Sequence, residues 1–430
     1  METSKFKAAA LAVAICVLTT GTAFATDGYF STGYGTANKG MGGAGVALSQ
    51  DTQSAMKNPA AMKNIGTRLD AAISFFSPDR SYETNGAAGT NFMNVNSDRS
   101  GSKLFLVPSM GVNWDRGDYS IGITLSANGG MNTDYNTNVF TGGTSGKTGI
   151  DLAQAFLGLT YARRLNENHT IGITPTLAIQ RFKATGLQGF ASISGDSTKL
   201  TDNGYDYSTG GGFRVGWQGK FGDKVTIGAM AQTKMYMEKF DKYAGLFARN
   251  GMFDIPATAA IGMAYKPIEK LTIAFDAQRI FYGGVDSIAN PLISVAAFHT
   301  GAGGSTNENS LGNSQGVGFG WEDMNVLKLG ISYDYNDKLT LRTGISHNSD
   351  SFSSGEVLFN ILAPGVVNTH ASVGASYDYN DKLSLNFAYT HAFHADIEGT
   401  NVNHIFGGTA TPINLEMDQH DLEVGLTYRF

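Results

Sequence analysis

The chain has little of what usually staples or breaks a fold: one cysteine and nine prolines in 430 residues. Its single thiol, Cys16, cannot form a disulfide within the chain, so backbone pairing and packing must hold it together. A basic block is also missing. With 31 Lys and Arg against 37 Asp and Glu, the net charge is −6, which excludes a nucleic-acid footprint. No segment reaches the roughly 18–20 consecutive apolar residues that a membrane-crossing helix needs. An exported soluble protein and a membrane barrel are the readings left open.

The first residues read as an export signal. Lys5 and Lys7 precede the apolar run Ala8 to Leu18, and Ala23-Phe24-Ala25 supplies small residues at a cleavage site. Residues 1–25 are therefore expected to be a signal peptide that takes Cys16 with it.

From about residue 69 the hydrophobic period is two. Leu422, Val424, Leu426, Tyr428 and Phe430 alternate with Asp421, Glu423, Gly425, Thr427 and Arg429, the pattern of a half-buried strand. Two near-copies, YDYNDKLTL at 333–341 and YDYNDKLSL at 377–385, place an Asn-Asp turn between strands. Four more short turns lie at 115–118, 165–168, 221–223 and 267–270. Long polar loops fall near 82–102, 129–150, 184–205, 240–252, 283–323, 348–368 and 395–415. Strict alternation of short and long connections predicts strands near 69–81, 103–115, 118–128, 151–164, 169–183, 206–219 and 224–239. The second half repeats the pattern near 253–266, 271–282, 324–335, 338–347, 369–379, 382–394 and 416–430. This is an all-β fold, a 14-stranded antiparallel transmembrane β-barrel over 69–430, with aromatic residues such as Trp114, Tyr333, Tyr377 and Phe430 at one interface. A soluble sandwich or propeller explains the alternation but not the loop asymmetry.

Residues 26–68 lack strand alternation and are rich in Gly, Ala and Asn, a composition suited to an N-terminal plug (hatch) in the lumen. Gly40, Gly42 and Gly45 spell GxGxxG, but no buried strand precedes them and no βαβ unit follows, so a dinucleotide loop is excluded. Together with Gly43 they are read as allowing close backbone packing. His391 and His394 are three apart on a strand and point to opposite faces, so no metal site is expected, and neither is a cofactor. No nucleophile turn such as GxSxG marks a hydrolase.

The stretch Gly40 to Ala47, then Asp51, then Asn58-Pro59-Ala60-Ala61, ahead of fourteen strands, resembles the FadL/TodX family of outer-membrane transporters for long-chain fatty acids and aromatic hydrocarbons. The FDIPATAAIGMAY segment at 253–265 and the terminal aromatic agree. The resemblance implies a bacterial outer-membrane location, no enzymatic activity, and passive uptake gated by a hatch to which Asn58, Pro59 and Ala60 belong. Long-chain fatty acids are the expected cargo, with aromatic hydrocarbons the alternative and a general porin, adhesin or lipid hydrolase behind them. It also implies an entry groove on the third and fourth outer loops. Leu187, Phe190 and Ile193, with Leu246, Phe247, Met252 and Phe253, supply the apolar groups there. Family members release cargo sideways beside a kinked third strand, which places a bulge near Gly122 or Gly129. Asp276, Lys328, Arg342, Asp378, Glu423 and Arg429 are expected to face the lumen, and Lys328 or Arg342 is a candidate for a ligand head group. The polar tract Gly301 to Gly316 is expected to be mobile. A hydrophobic small molecule, outer-membrane lipid and lipopolysaccharide are the expected partners of a monomer.

Overall fold

A computed structural model describes residues 27–84, 97–128, 130–141, 146–292, 307–400 and 412–430. The expected signal peptide, Gly129 and the first part of the polar tract lie outside the described residues.

Fourteen long strands run in order: β1 (Arg68–Thr84), β2 (Phe105–Asp115), β3 (Tyr119–Asn128), β4 (Gly149–Arg164), β5 (His169–Thr185), β6 (Asp206–Phe221), β7 (Val225–Gln232), β8 (Thr258–Ile268), β9 (Leu271–Ile280), β10 (Met324–Asn336), β11 (Leu339–Asn348), β12 (Thr369–Asp378), β13 (Leu383–Thr400) and β14 (Pro412–Arg429). Each pairs antiparallel with the next. Strand β14 returns to β1, from Arg68 opposite Arg429 to Thr84 opposite Ile413, and closes the barrel. Closure pairs each strand with a neighbour on both sides, the condition for a sheet in hydrocarbon, and leaves one stretch of β2 and β3 unpaired with each other.

Period two decides which side chain meets which solvent. Leu422, Val424, Leu426 and Tyr428 are exposed on the outside, whereas Asp421, Glu423 and Thr427 are buried in the lumen. Exposed apolar residues such as Ile171, Ile173, Leu327 and Leu329 continue this outer band on other strands. A soluble sheet would lose stability by leaving such a band in water; a bilayer reverses the sign.

The expected β7 and β8 are too long by several residues. Strand β7 stops at Gln232 and β8 starts at Thr258. Between them Met235 bridges Ile255, and both side chains are buried under the outer loops. Pro256 has no N–H to give a ladder, and the neighbouring apolar residues find cover inward. Two short pieces, Ser97–Arg99 on β1 and Tyr236–Met237 on β6, extend the wall outward.

Candidate functional site: a filled lumen, an apolar loop pocket and a seam in the wall

Residues 27–67 thread the lumen, with nearly every side chain from Asp27 to Lys63 buried. Short helical turns at Thr36–Lys39, Thr52–Met56 and Pro59–Asn64 give the segment its shape. Asn58 caps the last one, its Oδ1 accepting from the Ala60 N–H at 3.1 Å, and Pro59 occupies the first helical position, where its missing N–H costs nothing. The Asn58 amide also donates to the carbonyls of Val46 (2.8 Å) and Trp217 on β6 (2.9 Å), so one side chain folds the turn and ties it to the wall. Gly42 and Gly43 take φ of 64° and 79°, a region costly for other residues, and a Cβ on Gly43 would meet the Thr32 carbonyl at 1.9 Å.

Charge anchors the plug. The Lys39 ammonium bonds Asp421 at 2.7 Å and Glu423 at 2.8 Å, all three nearly excluded from water. Asp276 accepts from the Gly45 N–H (2.7 Å) and the Val46 N–H (3.0 Å), and Lys63 pairs with Asp115 at 2.8 Å. Of the other residues expected to face the lumen, Lys328 pairs with Asp27 at 2.6 Å and donates to the Thr32 carbonyl. Arg342 donates to Ser376 and lines a polar cavity of about 620 Å³ shared with Asp51, Arg68, Asp378 and Arg429. The structure thus commits Lys328 to the plug and brings neither basic group to the apolar pocket described below.

Among the described residues, Lys57 and Asp51 of the plug form no ion pair. Burial pulls the Lys57 ammonium down to about 7, reinforced by Lys328 and opposed by Asp276. Burial, then the neighbouring Asp70, pushes the Asp51 carboxyl up to about 7 against the pull of Arg68. Compared with an undocked segment in water, Lys57 docks with fewer protons between about pH 7 and 10.5, so its contribution improves as pH rises through that window. Asp51 docks with more protons between 3.8 and about 7, so its contribution is lost as pH rises there. Docking is weakest near neutrality. Hydrogen-exchange protection of residues 51–57 should therefore pass through a minimum near pH 7, and a steady trend across roughly pH 5 to 9 would contradict the assignment.

Above the plug the outer loops form one apolar core. Leu187, Phe190, Leu246 and Phe247 line an apolar cavity with Phe319, Phe359 and Leu362. Phe253 packs on Phe247 (ring centroids 4.8 Å) rather than on the cavity, Ile193 is buried beside it, and Met252 is half-buried with its carbonyl accepting from Ser287. The loop residues are therefore not raised into water as free hooks. Apolar side chains on adjacent loops lower their exposed area by closing on each other, and the cavity is what their packing leaves. Phe319, Phe359 and Leu362 were missed in the sequence, although the apolar runs GVGFGW and VLFNIL mark them. Within the polar tract expected to be mobile, Ser310 and Leu311 are buried, and Leu311 bridges Ser194 in the same core.

Among the described residues, the ladder between β2 and β3 is interrupted. The β2–β3 ladder ends at Met110 opposite Leu125, yet β2 stays paired with β1 as far as Phe105, and β3 with β4 as far as Asn128. Gly122 is in regular register on both sides, so no bulge occurs there; the break begins beyond Leu125. Pro108 gives the parting segment one N–H fewer. Across the break, Phe76, Phe105 and Val107 from the lumen-side faces of β1 and β2 pack on Leu125, Ala127, Ala153 and Ala155 from the lipid-side faces of β3 and β4. The wall overlaps itself there like a scroll; the side chains that meet across it are apolar, and the Arg80 guanidinium lies over the Phe105 ring. Gln53 of the plug donates to the Leu125 carbonyl at 3.2 Å, covering an acceptor at the break.

A closed barrel with lipid-facing apolar residues, a filled bore and an apolar outer pocket defines an outer-membrane transport protein for hydrophobic compounds. The sequence profile described as outer membrane protein transport protein (OMPP1/FadL/TodX) matches residues 12–430. The chain belongs to that family, whose members are transport channels and not enzymes. Its fold is similar to the toluene transporter TodX of P. putida (TM-score 0.67, 18% identity, 93% of this chain and 99% of that one). It is also similar to a Pseudomonas aeruginosa FadL homologue (0.68, 16%, 94% and 100%) and to the Ralstonia pickettii toluene transporter TbuX (0.62, 17%, 93% and 99%). No curated protein matches the sequence.

Proposed function

We propose that the protein admits uncharged hydrocarbons of about the size of one aromatic ring, in preference to the long-chain fatty acids first expected. The loop cavity carries this reading. Its lining is aromatic and aliphatic, Ser287 is its one polar side chain and is already donating to Met252, and no charged group is present to hold a carboxylate. The solved structures of similar fold that are named toluene transporters point the same way.

Cargo entering the loop pocket has two ways down. The cavity under the plug is walled by Asp51, Arg68, Asp70 and Arg342, where an apolar solute gains nothing. The β2–β3 seam offers a cluster of apolar side chains from both faces of the wall, so release sideways into the bilayer is the favoured path. The outer band meets outer-membrane lipid and, at its upper rim, lipopolysaccharide. A ring closed on itself needs no second subunit, and the protein acts as a monomer.

Uptake of labelled toluene and oleate into cells expressing the protein, against cells lacking it, tests the reading. Faster toluene entry with unchanged oleate entry is expected, and the reverse preference would overturn it. Leu246→Gln places a polar amide on the half-buried edge of the pocket, which should weaken toluene affinity about tenfold for a cost of one to two kcal/mol. Titration of the purified variant in detergent checks that value.

A further inference from the structure

The aromatic lining of the loop pocket is shut away: Phe190, Phe247, Leu311 and Phe359 are all buried, so a ring-sized cargo reaches them when a wall gives way. The walls differ in how they are held. Buried side chains fix the sixth outer loop, with Thr133 donating to the Leu362 carbonyl (2.8 Å), Tyr135 to that of Ile361 (3.1 Å) and the Trp321 indole to Asn360 (2.7 Å). The third and fourth loops are joined directly, Ser194 donating to the Gly245 carbonyl at 2.7 Å. Residues 307–316 of the fifth loop lie across that junction. The Leu311 N–H donates to the Ile193 carbonyl and the Leu311 carbonyl accepts from the Gly195 N–H, both at 2.9 Å. On the other side the Asn250 N–H donates to the Gly312 carbonyl (2.7 Å) and the Arg249 N–H to that of Asn313 (2.9 Å). The fourth loop is bent to make these two bonds. Arg249 and Asn250 take φ of 54° and 60°, and Gly251 follows at 97°. Left-handed backbone normally occurs as single residues, so two non-glycine residues in succession stand uphill unless their neighbours hold them.

We infer that residues 307–316 are a clasp over the loop pocket, and that cargo enters when the clasp lifts from the third and fourth loops. The strained turn sets its poise. Once the Gly312 and Asn313 carbonyls leave, Arg249 and Asn250 are free to return to right-handed backbone, so relief of strain offsets part of the bonding lost. Leu311 is the one large apolar residue in this stretch, and it is the residue that the clasp contributes to the pocket. Moving the sixth loop instead would strip three buried donors of their acceptors, a larger cost than withdrawing one leucine and re-wetting four backbone bonds at the surface. The inference rests on the reading of the loop pocket as the entry site and adds to it the wall that moves.

The test locks the clasp to the third loop. A Cβ on Gly195 would stand 2.9 Å from the Asn313 Cγ and meets no other residue as closely, so Gly195→Cys with Asn313→Cys places two thiols within bridging reach. Cys16, the one native thiol, lies in the expected signal peptide. Cells carrying the double variant are oxidised with diamide, and labelled toluene uptake is measured before and after reduction with dithiothreitol. Oxidation should cut uptake at least about tenfold, because the open fraction falls, and reduction should restore it. Each single variant should take up toluene at the wild-type rate under both conditions. Equal uptake by the locked and reduced protein overturns the clasp, and so does failure of the two thiols to cross-link. A second measurement needs no transport. In the purified full-length protein in detergent, the amides of Arg249, Asn250 and Leu311 should exchange together, at least about tenfold faster than those of Leu362 and Ala363 in the sixth loop, and the disulfide should slow all three. Exchange no faster than in the sixth loop overturns the clasp. Absence of toluene uptake by the wild type, with the three amides still opening together, removes the conduit reading and leaves the clasp standing.

Discussion

Lys39→Met should make the barrel leak ions. The ammonium is the partner of two carboxylates, Asp421 and Glu423, at 2.7 and 2.8 Å, in a space with almost no water. Methionine fills the same volume and leaves two like charges side by side in the wall of β14. Breaking a buried pair by removing one member costs about 3–5 kcal/mol, far more than the pair contributes over an apolar replacement. Spent on the docking equilibrium of the plug, that is a shift of about a hundred- to four-thousandfold toward the undocked state. Planar-bilayer recordings should show a quiet wild-type channel and frequent large openings in the variant. Removing the uncompensated charges as well, in Lys39→Met with Asp421→Asn and Glu423→Gln, should restore closure. A quiet single variant would mean that the remaining contacts, Asp276 with Gly45 and Val46 and Asn58 with Trp217, hold the plug without help.

The same residues show how far sequence reasoning reaches. Asp421 and Glu423 are assigned to the lumen by alternation along one strand, because period two is a local property and each strand reports it independently. That logic places the fourteen strands to within a few residues, except where β7 and β8 bend inward at Met235 and Pro256 and where β13 continues six residues past its expected end to Thr400. It cannot say that Lys39, nearly 400 residues away in the chain, reaches these two carboxylates. Leu187, Phe190, Leu246 and Phe247 were legible as apolar groups on loops, yet their burial depends on Phe319, Phe359 and Leu362 arriving from two other loops. Lys328 shows the converse: its lumen-facing position was legible, but its Asp27 partner was not. The seam is the hardest feature to read. Pro108 is its local mark, and the overlap of β2 on β3 depends on side chains of four strands meeting across the wall.

That overlap yields the second large effect. Ala127 is 5% exposed and sits among Phe105, Val107 and Leu125 in the seam proposed above as the route to the bilayer. Ala127→Asp puts a carboxylate where a hydrocarbon must pass. The charged group will recruit water or the nearest donor, and an apolar solute crossing it loses roughly 2–3 kcal/mol of contact, equal to about a thirty- to hundredfold slower passage. Toluene binding to the loop pocket should not change, because the substitution is remote from Phe190 and Phe247. Uptake should nevertheless collapse. This split between retained binding and lost transport separates the seam from the pocket, and Ala153→Asp on β4, in the same apolar cluster, should reproduce it. If both variants transport toluene at the wild-type rate while Lys39→Met accelerates it, the cargo leaves downward past the plug and the seam is only a joint in the wall.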